Sequence, residues 1–408
     1  MQYFYQRRTR AQVVLSGLGK TAVIYPSAFL VAVGEGMLGL GLIYFMREIY
    51  GAPPSLIGLL AGSGTLAYLL SCLFLRPLFN SIRPRFLMIG ATAGMAISLV
   101  LLYLFRSIPL TFLFLALNKL SVSFFWPPAM GWLSQNIEGK VLNKTMSRFN
   151  LSWSLGLVVS PALTGLLSER SPLLPILGTV LACCCCLLLI TGAALALPGI
   201  RKDTHRENQN NSEVQKPDQS TSLRFTAWVG LFTSFIVVGV IVTIFPLFAQ
   251  DTLNISKSLV GNIFSLRMFS RAVGFFVLGR LSFWHFKGRY QLVSLGVLVV
   301  LLSMMTQAQS VPLFALLITL LSLTKASIFT NSLFHAIAGS TRRAGRMAIH
   351  ESLLAGGYIV GSTAGGMLYQ YFSFTVTLLF CIGCTATALL AQVILLVRFR
   401  RAASQNLP

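Results

Sequence analysis

Five ionisable side chains lie inside long apolar stretches of the sequence, where charged residues are rare. They are Glu35, Lys119, Arg267, Arg271 and Lys325. Burying a charge at the centre of a lipid bilayer costs roughly 3 kcal/mol or more, so such residues face a protein interior or a water-filled cavity. Four cations accompany a single carboxylate, and the sequence therefore predicts a positively charged cavity that attracts an anion.

Glu35 is the only carboxylate in this set, and glycines surround it at positions 34, 36, 39 and 41. Such small residues allow a neighbouring helix, or a substrate, to approach closely. A carboxylate that alternates between a dry environment and one beside a cation takes up a proton in the first and releases it in the second. We therefore predict a proton-coupling role for Glu35, and the alternative is an ion pair that only holds two helices together.

Arg267 and Arg271 are four residues apart, which places them on one face of a helix about one turn from each other. Two guanidinium groups at low dielectric repel each other unless an anion lies beside them. The planar guanidinium fork suits carboxylate and phosphate groups. We predict that both arginines contact a substrate anion; the alternative is that one extends to the membrane interface or pairs with Glu35.

Lys325 lies on a helix with a polar stripe at spacings i, i+3, i+7 and i+11. This stripe comprises Thr324, Ser327, Asn331 and His335. A polar stripe in an apolar helix is expected to line a cavity, and hydrogen bonding between helices is the alternative. For His335 we favour a structural role. We predict that Lys325 and Asn331 bind substrate, together with Lys119 and its neighbour Asn118.

The segments that carry these residues are long enough to cross a membrane. The chain of 408 residues is 55% hydrophobic and only 10% charged, whereas soluble proteins keep about 25% charged residues. A membrane-spanning helix needs roughly 20 mostly apolar residues. Twelve such runs, which we number spans 1–12, are centred near residues 34, 65, 96, 122, 155, 184, 236, 268, 299, 324, 358 and 385. They lack the alternation of barrel strands, so an all-α membrane protein is predicted.

The net charge of +22 is arranged as a topology signal. In a soluble protein such a basic excess suggests nucleic-acid binding, which we do not expect here. Of the 32 lysines and arginines, 24 lie on one side of the spans, and the opposite loops hold only Arg47, Arg106, Arg170 and Lys257. The positive-inside rule therefore predicts cytoplasmic termini, and we expect a multi-pass protein of a bacterial-type cytoplasmic (inner) membrane, in contact with the lipid bilayer.

The motifs of enzymes and ATP-driven pumps are absent from the sequence. There is no Walker loop, no dinucleotide fingerprint after a strand and no metal-ligand spacing among the four histidines. The seven cysteines all fall in apolar runs and are interpreted as packing residues. We predict that the protein is not an enzyme and has no cofactor or metal, and that an ion gradient, of protons in our interpretation, supplies its energy.

A polar stretch divides the chain into two halves of six spans each. Residues 198–223 are rich in Asn, Gln and Ser and contain few large apolar residues. Such a segment cannot bury enough apolar surface to fold. We predict a disordered cytoplasmic linker at 198–223, between a first six-helix bundle at 1–197 and a second at 224–408.

The two halves look like repeats, because span 5 and span 11 carry small residues at matching positions. A shift of 201 residues places Gly156 on Gly357, Ser160 on Gly361 and Gly165 on Gly366. Small residues at these spacings allow two helices to approach closely. Their recurrence in the same span of each half indicates an internal duplication.

These residues resemble a motif of the major facilitator superfamily. Gly156, Ser160, Pro161 and Gly165 are similar to the Gly-x-x-x-Gly-Pro-x-x-Gly-Gly pattern of that family's fifth helix, and FFWPPAMGWL in span 4 resembles its fourth. The resemblance covers nearly the whole chain. It implies a fold of two six-helix bundles in which spans 1, 4, 7 and 10 line a cavity. Organic-anion and nitrate carriers of the family are similar in using a mid-membrane arginine in span 8.

The family's loop motif after span 8 is preserved only in part. Gly279, Arg280 and Arg289 are retained, but Phe283 stands where the family has an aspartate that helps to latch the cytoplasmic gate. From this resemblance we predict gating roles for Gly279, Arg280 and Arg289. Glu351, at the cytoplasmic start of span 11, is assigned to the same gate or to the first turn of its helix.

Taken with the buried cations, the resemblance implies a secondary transporter whose two bundles expose a midplane site alternately to each side. We predict proton-coupled movement of a small organic anion by a monomer. Two alternatives stay open. One is a proton-driven exporter of drugs or cationic amphiphiles, which a lone glutamate in span 1 suits. The other is a receptor or scaffold that binds without transporting.

Overall fold

The structure is a computed structural model. It describes residues 2–75, 78, 81–134, 139–196, 221–340 and 343–405. Side chains are described for residues 19–75, 78, 81–134, 141, 144–195, 221–340 and 345–399. Within these ranges the regular structure is entirely helical. The helices are α1 Gln2–Tyr50, α2 Pro54–Phe74, α3 Pro84–Leu104, α4 Ile108–Ser123, α5 Trp126–Ser134, α6 Gly139–Arg170, α7 Leu174–Ala196, α8 Leu223–Asp251, α9 Lys257–Arg280, α10 Arg289–Thr306, α11 Val311–Ile337, α12 Arg343–Tyr371 and α13 Phe374–Gln405.

The predicted spans correspond to these helices, and span 4 alone is divided in two. The backbone leaves the helix at Phe124 and Phe125 and re-enters it at Trp126, just before Pro127 and Pro128. Proline has no N–H to donate and is accepted in the first turn of a helix rather than in its interior. Span 4 is therefore α4 followed by α5, and spans 5–12 are α6–α13. The predicted all-α fold is confirmed, with twelve helical segments in the described part of the chain when α4 and α5 are counted as one.

Ten of the spans in the described part of the chain are long and apolar enough to cross a membrane. The other two, α9 and α12, are less apolar for different reasons. Arg267 and Arg271 interrupt the middle of α9, and α12 is rich in glycine. The apolar helices make the chain a multi-pass membrane protein.

The described residues form two compact units. The first contains residues 2–42 and 67–196, and the second contains residues 43–66 and 221–405. The boundary thus falls within α1, between Leu42 and Ile43, and within α2. The predicted linker at 198–223 lies, up to residue 220, outside the described residues, so its disorder and the bundle limits drawn from it stay predictions.

Each unit contains a close helix crossing at one of the repeated glycines. In the first unit, a Cβ atom at Gly156 of α6 would lie 2.6 Å from the carbonyl oxygen of Phe29 in α1. In the second unit, a Cβ atom at Gly357 of α12 would clash with the carbonyl oxygen of Phe232 in α8. Backbone meets backbone at both crossings, and only glycine leaves room for this. The predicted close approach is confirmed in both units.

The helix α7 shows how one helix serves both the core and the surface of the first unit. Of its four consecutive cysteines, Cys183 and Cys186 are buried, Cys184 is half-buried and Cys185 is exposed. The Cys186 Sγ is 3.8 Å from the carbonyl oxygen of Ser27 in α1. Successive residues of a helix are rotated by about 100° around its axis, so two of the four thiols reach the core.

Candidate functional site

The first unit holds an ion pair between the predicted coupling residue and a predicted substrate residue. Lys119 Nζ of α4 donates to Glu35 Oε1 of α1 at 2.7 Å. The side chains keep 24% and 20% of their surface exposed, respectively. Lys119 is thus already paired with the carboxylate, and the positive charge that needs an anion lies elsewhere.

The packing of α1 fixes the direction in which Glu35 points. Gly34 lies against Thr179 of α7, and Gly36 lies so close to Ser160 of α6 that a Cβ atom there would clash. Two sides of α1 next to Glu35 are therefore occupied by α6 and α7. This leaves the carboxylate to reach Lys119 on α4.

Asn118 takes a different direction from Lys119 although the two are adjacent. Its Nδ2 donates to Ser98 Oγ and to the Met95 carbonyl oxygen of α3, both at 3.4 Å, and its side chain is fully buried. Its Oδ1 has no hydrogen-bond partner within the described ranges. In this structure Asn118 links α4 to α3, while Lys119 contacts α1.

In the second unit, Arg267 of α9 and Lys325 of α11 line the same cavity, and each is only 6% exposed. Helices α8, α9, α10 and α11 form its walls. Two serines and a set of aliphatic side chains complete the lining: Ser234, Ser322, Val237, Val238, Ile241, Leu298, Ile318 and Leu321. The cavity measures about 20 Å³, counted as space for the centre of a water molecule.

The cations at this cavity contact aromatic rings rather than carboxylates. Lys325 Nζ lies 3.9 Å from the centre of the Phe235 ring, and the Arg267 guanidinium carbon lies 4.9 Å from that of Phe264. The Arg267 Nε is buried and has no hydrogen-bond acceptor among the side chains and backbone that the structure describes. Among the described residues, no carboxylate oxygen lies within 4.0 Å of Arg267, Arg271 or Lys325. Ring faces attract cations but carry no net charge, so the charge of the cluster is not neutralised.

Arg271 contributes to the same positive field without lining the cavity. It lies one helical turn beyond Arg267, is partly exposed, and repels both Arg267 and Lys325. The Tyr358 side chain of α12 interacts electrostatically with Arg267. We call Arg267, Arg271 and Lys325 the cation cluster.

Two hydrogen bonds hold α9 against α11 beside the cation cluster. Ser322 Oγ donates to the Arg267 carbonyl oxygen at 2.7 Å, and Ser270 Oγ donates to the Thr319 carbonyl oxygen at 3.2 Å. Ser322 precedes Lys325 by one turn of α11. The backbone positions of the two cations are therefore fixed relative to each other.

The polar stripe of α11 does not line this cavity. Ser327 is hydrogen-bonded to Ser294 of α10 at 3.0 Å, and Thr324 donates to the Leu320 carbonyl oxygen of its own helix. Asn331 Nδ2 donates to the Ser327 carbonyl oxygen at 3.0 Å. Asn331 and His335 are buried, and among the described residues the Asn331 Oδ1 and both ring nitrogens of His335 have no hydrogen-bond partner. Within the stripe, Ser327 therefore forms a hydrogen bond between two helices, which is the alternative to lining a cavity.

The predicted gating residues at the end of α9 contact aromatic side chains. The Arg280 guanidinium carbon lies 3.8 Å from the ring centre of Phe276, and a Cβ atom at Gly279 would meet open space. Phe283, which replaces the family's aspartate, packs edge-on against Tyr290 with ring centres 5.1 Å apart.

The two other gating predictions are also at the surface. Arg289 is exposed, and one of its Nη atoms lies 3.3 Å from the hydroxyl of the adjacent Tyr290. Glu351 on α12 is exposed as well. No ion pair joins Arg280, Arg289 or Glu351 to a partner in the described part of the chain.

The sequence reasoning missed two groups of residues. The first group is Phe235 and Ser234, which carry no charge. The α8 residues that line the cavity lie at i, i+3, i+4 and i+7, and only this spacing marks them as one face of the helix.

The second group forms ion pairs. Arg47–Asp251, at 3.2 Å, and Glu48–Lys257 join the end of α1 to α8 and α9 within the second unit. In the sequence, Arg47 and Lys257 contribute only to the topology prediction.

The described residues contain no group of three or more His, Cys, Asp or Glu side chains placed to hold a metal ion. Two charged centres are the candidate functional groups, and each lies within one unit. They are the Glu35–Lys119 pair and the cation cluster.

Comparison with known proteins gives one family and several solved structures. The sequence profile of the Major Facilitator Superfamily matches residues 24–227 and 227–407. No curated protein matches the sequence. The peptide transporter POT in complex with sulfate is similar in structure, with a TM-score of 0.74, 12% identity, and coverage of 94% of each chain.

Two further structures have the same fold. The nucleoside transporter NupG gives a TM-score of 0.69 at 13% identity and covers 92% of this chain and 99% of its own. A bacterial homolog of the human lysosomal transporter Spinster, inward-facing and unoccupied, gives 0.67 at 12% identity, with coverage of 95% of each chain. At such low identity the likeness is one of fold alone.

Proposed function

The chain belongs to the major facilitator superfamily, whose members are membrane transporters rather than enzymes, and from this premise we propose that it transports a small organic anion coupled to protons. The single observation that carries the anion assignment is the cation cluster. Three buried or partly buried cations have no carboxylate partner among the described residues. An anionic substrate would supply the missing negative charge.

The unbalanced positive charge of the cation cluster supports an anionic substrate over a cationic drug. Removing one partner from a buried ion pair is strongly destabilising, because the remaining charge is uncompensated. The cation cluster has this character with no substrate bound, and a cationic amphiphile would add to the repulsion. A carboxylate or phosphate would instead accept hydrogen bonds from the Arg267 guanidinium and the Lys325 ammonium.

For proton coupling, we propose the Glu35–Lys119 pair. Protonation of Glu35 removes the charge that holds Lys119 at 2.7 Å, so the contact between α1 and α4 weakens when a proton binds. The partial exposure of both side chains allows water, and hence protons, to reach the pair. Coupling then follows if the pair is broken in one conformation of the transporter and formed in the other.

Two of the structural neighbours are named as transporters of small molecules. POT was solved in complex with sulfate, an inorganic anion, and NupG is named as a nucleoside transporter. Both are proteins that act on small molecules. Alternating access, in which the two units expose the site to each side in turn, is proposed here on the basis of family membership.

Uptake into proteoliposomes under an imposed pH gradient tests the proposal. A panel of labelled organic anions is compared between the wild-type protein, Arg267→Gln and Lys325→Gln. We expect saturable anion uptake that falls at least about 10-fold in either variant, since a lost charged hydrogen bond is worth roughly 1.5–3 kcal/mol. Arg398→Gln removes an exposed arginine of α13 outside the cavity and serves as the charge-matched control.

The same assay separates the alternatives. Flux of ethidium-like cations that requires Glu35 would favour a drug exporter and overturn the anion assignment. Binding of ligands with no flux of any solute would favour a receptor or scaffold.

A further inference from the structure

We propose that the cavity between Arg267 and Lys325 is a binding site for a halide-sized inorganic anion, for which chloride is the reference ligand. This ion would neutralise the cation cluster when no organic substrate is bound. The displacement of the ion by substrate rests on the proposed function, whereas the ion site itself does not.

The size of the cavity is compatible with a small ligand. Its volume, counted as space for the centre of a water molecule, is about 20 Å³, so the cavity admits a water molecule, which itself occupies roughly 10–15 Å³. A chloride ion is slightly larger than a water molecule. In the conformation described, the cavity therefore admits a monatomic anion.

The charge of the cavity selects an anion over water. Arg267 and Lys325 are each 6% exposed, and Arg271 adds further repulsion. Cations removed from bulk water require a compensating charge, and the Phe235 and Phe264 rings provide only a partial substitute. A water molecule would fill the space but leave the charge unbalanced.

The free hydrogen-bond donors at the cavity belong to the cations. Ser322 Oγ already donates to the Arg267 carbonyl oxygen, and Ser234 Oγ to that of Leu231. The Arg267 Nε, in contrast, is buried with no acceptor in the part of the chain that the structure describes. The remaining lining is aliphatic, which favours a weakly hydrated ion. Bromide is therefore expected to bind at least as well as chloride, and fluoride more weakly.

Equilibrium binding of ³⁶Cl to the purified full-length protein in detergent tests the site. In a gluconate background we expect one chloride bound per chain, displaced by bromide. In Arg267→Gln and Lys325→Gln the affinity should fall at least about 10-fold, while Arg398→Gln should bind as the wild type does. Unchanged binding in both cavity variants, or no saturable binding to the wild type, would overturn the proposal.

A second measurement needs no variant, so misfolding cannot obscure the result. Thermal unfolding of the wild-type protein is compared in bromide, chloride and gluconate salts at one ionic strength. A ligand that binds only the folded state raises the Tm, here by about 3 °C at 100 times its dissociation constant. Identical Tm values in all three salts would contradict the ion site.

The two proposals fail separately. If chloride binds but no organic anion is transported, the ion site stands and the proposed substrate class falls. If organic anions are transported at the same rate in chloride and gluconate buffers, and ³⁶Cl does not bind, only the ion site falls.

Discussion

At the scale of residues, Glu35 shows that the ion-pair partner of a charged side chain is harder to predict than its depth in the membrane. The apolar neighbours of Glu35 and Lys119 were enough to place both at membrane depth. Which of four cations Glu35 meets depends on how its helix is rotated, and packing of Gly34 and Gly36 against α7 and α6 decides this. The sequence allows one of the span 8 arginines as a partner, whereas the structure pairs Glu35 with Lys119.

The Glu35–Lys119 pair allows coupling to be distinguished from a structural role. Lys119→Met leaves Glu35 unpaired and should lower the free energy of unfolding by about 1–2 kcal/mol. This is less than the 3–5 kcal/mol of a fully buried pair, since both side chains are partly exposed. Unfolding in denaturant, with the protein in detergent, measures the change.

The double variant Glu35→Gln/Lys119→Met provides the decisive comparison. Removing both charges should restore much of the stability, because no unpaired charge remains. We expect uptake by the double variant to be insensitive to the pH gradient. Stability and pH-driven uptake that both return to wild-type values would assign Glu35 a structural role only.

At the scale of elements, hydrophobic runs predicted the helices, and small residues predicted the crossings. The twelve apolar runs and the repeated glycines of spans 5 and 11 were visible in the sequence. The interruption of span 4 and the α8 side of the cavity were not predicted. Apolar lining residues such as Val237 look like ordinary core residues until the neighbouring helices are placed.

The α8–α12 crossing can be tested by adding a single carbon atom. A Cβ atom at Gly361 would clash with the Ile236 carbonyl oxygen, and backbone cannot move aside as a side chain can. Gly361→Ala should therefore lower the free energy of unfolding by about 1–3 kcal/mol, the usual cost of overpacking. Thermal unfolding followed by circular dichroism measures it.

Gly296→Ala is the matched control for this prediction. It makes the same substitution in the helix α10, where the added Cβ meets nothing within 4 Å. Alanine also has the higher helix propensity, so this variant should be as stable as the wild type or slightly more so. Equal losses in both variants would rule out the crossing as the cause.

At the scale of the whole molecule, the charges of the loops predict which side of the membrane each loop faces. If both termini are cytoplasmic, an alkaline phosphatase reporter fused after residue 408 stays inactive, because the enzyme folds only outside the cytoplasm. The same reporter inserted between α1 and α2, at residues 51–53, should be active. An active fusion at the C-terminus would reverse the predicted orientation.

The seven cysteines allow an experiment that needs no engineered label. Cys183–Cys186 occupy successive positions around α7, and their exposure ranges from buried to open. With the protein in detergent solution, a small alkylating reagent should modify Cys185 first, and mass spectrometry would rank the other three by their access. Any conformational change that rotates α7 or uncovers its inner side would alter that ranking, so the native chain already contains its own reporter of helix rotation.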